Sequence, residues 1–362
     1  MRVVIAKKLL SAVGGSEMFA RALDRELGAL GHDVTLVGLR PAWSRPGMDD
    51  PRLSLLSVRL GRIGAAIDGL LPTALVRDRD LRRVVAGADV VHCIAREWAQ
   101  ELDRAARDAG AAFVETPLVH PGQPFAGDRA ADIARYRRDD AVIALTEWEA
   151  AWYRDHGVTR AHVTGVGPNL VALPEVPRDP ATILFVGRKE RYKGYHALRQ
   201  AAPLVWEARP DARFVAIGQS AWTAAFARRR EDERWIDRGI VSEPEKAESF
   251  ARATIFAMPS EHETFGHTYL EAWCAGLPVI AGDIPPLREV VRENVDGLHV
   301  PSQPRAIADA ILALLREPER ARRMGAAGRE RVAREFSWPA VARRTELAYE
   351  LARTRSRAAA RE

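Results

Sequence analysis

Residues 259–282 read PSEHETFGHTYLEAWCAGLPVIAG, and His262-Glu263 followed by His267 gives the stretch the look of the zinc-protease box H-E-x-x-H. That box needs two histidines at i and i+4, on one face of a helix. His262 and His267 are five apart, which sets them roughly 140° apart around a helix of 3.6 residues per turn. Gly266 also interrupts a continuous helix, so metal binding is rejected for this stretch. The eight-residue spacing of Glu263 and Glu271 suggests a glycosidase pair instead. On one helix it would separate the carboxylates by roughly 12 Å, beyond the about 5–9.5 Å that hydrolase pairs span. A local explanation covers part of the stretch: Ser260 and Glu263 fit the S-x-x-E capping box of a helix start. It leaves Glu271, a carboxylate inside the apolar run YLEAWCAGLPVIAG, without a reason. It also leaves Gly266, because glycine weakens a first helical turn. Both make sense if a ligand lies over the helix N-terminus, where glycine lets backbone N–H groups approach and an anion or hydroxyl-rich group is favoured.

Outward from this stretch, apolar runs alternate with helical patterns. ATILFVGR, RFVAIG, WIDRGI, TIFAMP and PVIAG read as strands, with a helix from about Gly194 to Glu207 after the first of them. The chain opens in the same way. RVVIA is a strand that runs through Lys7–Val13 into Gly14-Gly15, and Ser16 caps a helix with an apolar stripe at Phe19, Ala22, Leu23, Leu27 and Leu30. HDVTLVGL, Ala88–Cys93, Ala112–Thr116 and Ala141–Leu145 continue the series, and Thr146 with Glu149 forms a second capping box. Pro168, Pro174, Pro177 and Pro180 break the pattern between Val163 and Thr182, which reads as an interdomain linker. The expectation is an α/β chain with one domain over 1–168, a second over 169–335 and a terminal helix over 336–362. Ligands of such parallel sheets bind outside the C-terminal strand ends, so a cleft between the two halves is the expected site.

Bulk properties narrow the function classes. At 362 residues, with 47% hydrophobic and 28% charged residues, the chain suits a two-domain soluble protein. A net charge of +5 without a basic, aromatic-interleaved stripe disfavours nucleic acid. Cys93 and Cys274 make neither a disulfide framework nor a metal spacing, so a cytoplasmic setting is expected. No apolar run approaches the roughly 20 residues of a membrane span, and Lys7 and Lys8 argue against a signal peptide. Asp78-Arg79-Asp80 resembles a metal-binding D-x-D, but in VRDRDLRR it reads as a solvated helix face. Lysine is scarce, at 7, 8, 189, 193 and 246 only. A retained lysine suggests a compact ammonium kept for phosphate. Lys7 and Lys8, beside Gly14-Gly15, are therefore candidates to attract an anionic acceptor.

The segment MPSEHETFGHTYLEAWCAGLPVIAGDIPPLREVVRENVDGLHVP resembles the retaining glycosyltransferases of family GT4, which have the GT-B fold. It matches their E-x-F-G-x-x-x-x-E pattern in full at Glu263, Phe265, Gly266 and Glu271. Ser260, Ala275-Gly276, Pro278, Glu289 and Gly297 also stand where that family has them. FVGRKERYKG resembles the family's strand-GR-x₄-KG segment. The resemblance implies two facing Rossmann-like domains with an interdomain cleft and a C-terminal helix crossing back to the first domain. It also implies a set of nucleotide-sugar contacts. Gly187, Arg188 and Lys193 would hold the donor diphosphate, with Gly218 beside them. Ile240 and Val241 would meet the base and Glu271 the ribose. Glu263, with N–H groups around Thr264, Phe265, Gly266 and His267, would take the sugar.

The match is looser in the first half. Gly14 and Gly15 would face phosphate and acceptor, and His120 in VETPLVHPG resembles the family's active-site histidine. The catalytic set so implied is His120, Arg188, Lys193 and Glu263. Ser242 stands where some GDP-mannose users carry an acid, which favours a UDP-sugar. The hinge reads GVGPNLVA where the family has N-G-V-D. Residues 40–85, where acceptor specificity would lie, match weakly. The expected activity is metal-independent, retaining hexosyl transfer without a cofactor, from a nucleotide-sugar to a glycan, lipid or small-molecule acceptor. Peripheral contact at the inner membrane face is left open. Competing readings are another GT-B nucleotide-sugar enzyme such as a 2-epimerase, or a non-catalytic sugar-nucleotide-binding relative. A dinucleotide-dependent dehydrogenase is disfavoured because no G-x-G-x-x-G follows a strand.

Overall fold

The computed structural model describes residues 1–10, 14–40, 53–57, 76–121, 126–170, 172–219 and 232–359. The chain divides into two compact units, Met1–Val166 with Trp338–Glu362, and Gly167–Ser337. Most of residues 40–85, the region of weak family resemblance, lie outside the described residues, as does the 11–13 part of the loop after the first strand.

The first unit is built on seven strands: β1 (Arg2–Ala6), β2 (Asp33–Leu39), β3 (Leu53–Leu56), β4 (Val90–Ile94), β5 (Ala112–Thr116), β6 (Ala141–Ala144) and β7 (Ala161–Val163). They form one sheet in the order β3-β2-β1-β4-β5-β6-β7, with every pairing parallel. The second unit has β8 (Thr182–Val186), β9 (Arg213–Ile217), β10 (Trp235–Gly239), β11 (Ile255–Met258), β12 (Val279–Gly282) and β13 (Gly297–Val300). Their order is β10-β9-β8-β11-β12-β13, again all parallel. Parallel sheets carry helices on both faces, so their central strands are buried on both sides and read as unbroken apolar runs. β4, β5, β6, β8, β11 and β12 are buried at every residue. The strands that periodicity did not reveal, β3, β7 and β13, are short and only partly buried, so they lack the unbroken apolar run that marks the equally short β6, β11 and β12.

In each sheet the strand order reverses once, between β1 and β4 in the first and between β8 and β11 in the second. Such switch points leave a crevice outside the carboxyl ends of the two diverging strands. The helix Trp338–Ala359 belongs to the first unit. Its Tyr349 hydroxyl lies 2.7 Å from Nδ1 of buried His92 on β4, and Arg353 meets Asp89 at 2.7 Å. Among the described residues, no helix is long and apolar enough to cross a membrane.

Two helix starts and one capping box differ from the sequence expectation. The first helix runs Gly15–Ala29 with Gly14 as its N-cap, not Ser16. Only half of the Thr146 box forms. The Thr146 hydroxyl accepts from Glu149 N–H, while Glu149 reaches one residue further back to accept from Leu145 N–H at 2.8 Å. The Ser260–Glu263 box caps no helix, because the helix there begins at His267, with Gly266 as N-cap. A complete box lies instead at Ser242 and Glu245, at the start of the helix Glu243–Arg252. S-x-x-E fits both places. The Ser260 segment is drawn onto the end of β11, where Ser260 N–H bonds Met258 O and its hydroxyl donates to Glu263.

Candidate functional site

The second unit gathers its predicted residues along the C-terminal edge of one sheet. β8 ends at Val186, so Gly187 and Arg188 follow at once, and Lys193 closes the short 3₁₀ turn Arg191–Lys193. Gly218 follows β9, and Ile240 and Val241 follow β10. Glu263, Thr264, Phe265 and Gly266 form the loop after β11, and His267 opens the helix His267–Cys274. The Arg188–Lys193 segment and the Glu263–His267 loop therefore flank the β8/β11 switch point.

Glycine makes this edge narrow enough to pack. Gly218 has φ +130°, and a Cβ there would lie 2.0 Å from the Gly187 carbonyl oxygen. Gly194, at φ +72°, would place its Cβ 2.2 Å from the Pro259 carbonyl oxygen. The strand ends are thus in backbone contact, which carries the following loops in register.

The charges on this edge are unevenly satisfied. The Arg188 side chain is 62% exposed, with its guanidinium against the Tyr192 hydroxyl and ring. Lys193 is partly buried, pairs with Glu263 at 2.5 Å and lies 5.3 Å from the Tyr192 ring centre. Phe265 is buried against Phe336, edge to face. Gly266, at φ +87°, lets the chain turn into the helix without a side-chain cap, so first-turn N–H groups are left for a ligand. His267 Nδ1 lies 3.2 Å from the Gly167 carbonyl, a contact that requires the proton on that nitrogen. Burial holds the ring's pKa down at about 4, so it is neutral near pH 7. Glu271 is buried, and burial lifts its pKa to about 7 against the pull of Lys246. The two glutamates serve different elements. Glu263 is held by Lys193 from the β8 loop and Glu271 by Lys246 from the helix Glu243–Arg252.

In the first unit the expected phosphate loop is differently made. Gly14 is extended, at φ −155°, and Gly15 is the first helical residue. Lys7 is 3% exposed and lies 3.3 Å from Glu17 and 3.2 Å from Glu97, while Lys8 is 1% exposed. Lys7 is buried between two carboxylates and Lys8 is buried as well, so neither presents an exposed cation in this structure. His120 follows β5 in a half-buried loop, where its N–H bonds the Ala126 carbonyl.

The scarce lysines mark something else. Lys7, Lys189, Lys193 and Lys246 all meet carboxylates, with Lys189 nearly fully buried against Asp237. Lys189 and Lys246 were missed as site-building residues, and lysine scarcity was the signal that could have found them. Asp78 and Asp80 sit in the first turn of the helix Asp78–Val85, with Asp78 bonded to Arg82. Among the described residues, no group of three or more His, Cys, Asp or Glu could hold a metal ion. A depression of about 690 Å³ in the first unit includes Arg104, Arg107, Arg137, Arg138 and Arg160 in its lining. It lies toward the N-terminal strand ends, and Arg107, Arg137 and Arg160 there tie down main-chain carbonyls.

Known proteins resemble this chain in sequence and in fold. The family model described as glycosyl transferases group 1 matches residues 172–331, and the glycosyl transferase 4-like domain matches residues 14–169. The D-inositol 3-phosphate glycosyltransferase of Xylanimonas cellulosilytica is 28% identical over 91% of this chain and 89% of its own. The alpha-maltose-1-phosphate synthase of Mycolicibacterium smegmatis is 32% identical over 49% of this chain, a match that spans half of that relative. Among solved structures, sucrose-phosphate synthase from Thermosynechococcus elongatus superposes with a TM-score of 0.79 at 21% identity, covering 96% of this chain and 98% of its own. The Anabaena HepE protein in complex with UDP and glucose gives 0.75 at 14% identity, over 96% and 98%.

Proposed function

The chain belongs to the GT4 glycosyltransferases and has their GT-B fold, and from that premise we propose that it is a metal-independent, retaining hexosyltransferase. It takes a nucleotide-diphospho-sugar, UDP-linked in preference to GDP-linked, and passes the hexose to an acceptor bound by its first unit. The observation that carries this reading is the pair Arg188 and Lys193 beside the uncapped helix start at Gly266, on the two sides of the β8/β11 switch point. Two cations and free N–H groups at one strand edge can stabilise a departing diphosphate without a metal. HepE, of the same fold, was solved with UDP-glucose.

The Lys193 ammonium is already pinned by Glu263 and the Tyr192 ring, so it meets the donor with little loss of freedom. Glu263 and the amides at Phe265–His267 take the sugar hydroxyls, and the exposed Ile240 with Val241 borders the base. The bond from the anomeric carbon to the diphosphate oxygen breaks and the acceptor oxygen bonds that carbon on the same face. The acceptor proton passes to the departing diphosphate, and the His120 side of the first unit lines the acceptor.

Two measurements test this. A thermal-shift panel of UDP, GDP, ADP and TDP sugars should single out one base, since a ligand at 100 times its Kd adds about 2.7 kcal/mol. With that donor, Arg188→Ala and Glu271→Ala should each lower kcat/KM by about 100-fold or more. If both stay within about threefold of wild type, under 1 kcal/mol, the site is wrongly placed.

A further inference from the structure

Lys246 is a charged group at this edge that the function above does not employ. It lies one turn past the Ser242 cap, and its side chain is 14% exposed. Its Nζ donates to the Asn169 carbonyl at 3.0 Å and to Glu271 Oε1 at 3.3 Å, and lies 2.8 Å from Glu243. Glu271 itself is 3% exposed, and its other oxygen, Oε2, is buried without a hydrogen-bond partner. One oxygen is thus held, and the other is buried without a partner, with the Asn169 main chain near the carboxyl. Buried polar atoms are almost always satisfied, so an open one on a carboxylate points to a group that arrives with a donor.

We propose that Lys246 is a positioning residue for the donor: by holding Glu271 Oε1 it keeps the carboxylate ionised and presents Oε2 to the vicinal hydroxyls of the nucleotide's ribose. The proposal rests on the donor-binding reading above and goes beyond it in assigning Lys246. An ionised carboxylate accepts from both hydroxyls of a diol, whereas a protonated one gives up part of that capacity. Burial favours the protonated form of Glu271, Lys246 opposes it, and nearby Glu243 adds to it. Burial also works to lower the Lys246 pKa, but Glu271 and Glu243 outweigh it and raise the pKa. His267, one turn earlier on the Glu271 helix, is kept neutral by burial. Cys274, on the next turn beside Arg329 of the helix Pro318–Glu335, has its thiol pushed up to about 11 by burial. Within this set it is the carboxyl of Glu271, at about 7, that changes charge near neutrality.

The test is calorimetric titration with UDP, GDP and ADP between pH 5.5 and 8.5 on wild type, Lys246→Met, Lys246→Arg and Glu243→Gln. Affinity of wild type for its best nucleotide should rise with pH through about 7 and then level. Lys246→Met should move that midpoint up by about one unit or more and weaken binding about tenfold at pH 7. Lys246→Arg should restore the midpoint. Glu243→Gln, on an exposed side chain that leaves the fold alone, should move it down. The matching 2′-deoxy nucleotide should bind wild type more weakly, and Lys246→Met should narrow that difference. A purely structural lysine would instead change affinity by one factor at every pH, and an unmoved midpoint in both Lys246→Met and Glu243→Gln overturns the proposal. If wild type binds no nucleotide at any pH, the donor-binding reading falls and takes this one with it.

Discussion

The two units share one strand order over six strands and use it in opposite ways. At the β1/β4 switch point of the first unit the cation Lys7 is buried and held between Glu17 and Glu97. At the β8/β11 switch point of the second, Arg188 is largely exposed, the first helical turn is uncapped and Glu271 keeps an open oxygen. A shared strand order around the switch point therefore does not make equivalent sites. A switch point binds a charged ligand when its own charges are left partly unmatched, and it becomes framework when they are matched internally.

Substitution of the matched cation should have one of the two largest effects. Lys7→Met leaves the buried Glu17 unpaired beside the partly exposed Glu97 and should cost about 3 kcal/mol of stability, the lower end for breaking a buried pair, read by urea unfolding, while nucleotide affinity of the folded enzyme changes little. Unchanged stability with a raised KM for the acceptor would instead make Lys7 a binding group and erase the contrast.

The glycines sharpen the same comparison. Gly218→Ala forces φ +130° on a residue whose Cβ meets the Gly187 carbonyl and should cost about 3 kcal/mol, the upper end for such strain, along with nucleotide binding. Gly14→Ala occupies extended backbone and meets only the end of the Glu17 side chain, so its cost should stay within about 1 kcal/mol. Equal costs, measured by thermal unfolding, would refute the distinction between the two loops.

A smaller effect than those of Lys7 and Gly218 concerns pH. Burial lowers the pKa of His92 from 6.5 to about 3, so the ring is neutral in the fold and protonates first in the unfolded chain. Its contribution is whole above pH 6.5 and is lost as pH falls from there toward 3. At pH 5 the loss should be about 2 kcal/mol, and His92→Gln should remove that part of the slope in unfolding measured at pH 5 and 7.

Much of the second unit's edge was legible because its parts are local. Arg188 comes two residues after a strand, and Glu263 to Glu271 fit within one loop and two helical turns. Spacing alone could therefore bring them together. The role of Lys246 was not legible, although lysine scarcity marked the residue, since its partners Asn169 and Glu271 are 77 and 25 residues away and meet it only once helices pack. Ser260 misled for a related reason. Its S-x-x-E pattern is as good as that of Ser242, and only the path of the chain off β11 decides which of them caps a helix.

The sequence by itself determined the α/β class, the linker near residue 168 and the motif set of the family, because unbroken apolar runs, prolines and closely spaced charges act over a few residues. The tertiary structure decided which of those charges remain available. Lys7 is neutralised by residues 10 and 90 positions away, Gly14 turns out to need no special backbone, and Glu271 is left with one oxygen held and one open. Charge state and availability are set by burial and by distant partners, and both exist only after the chain has folded.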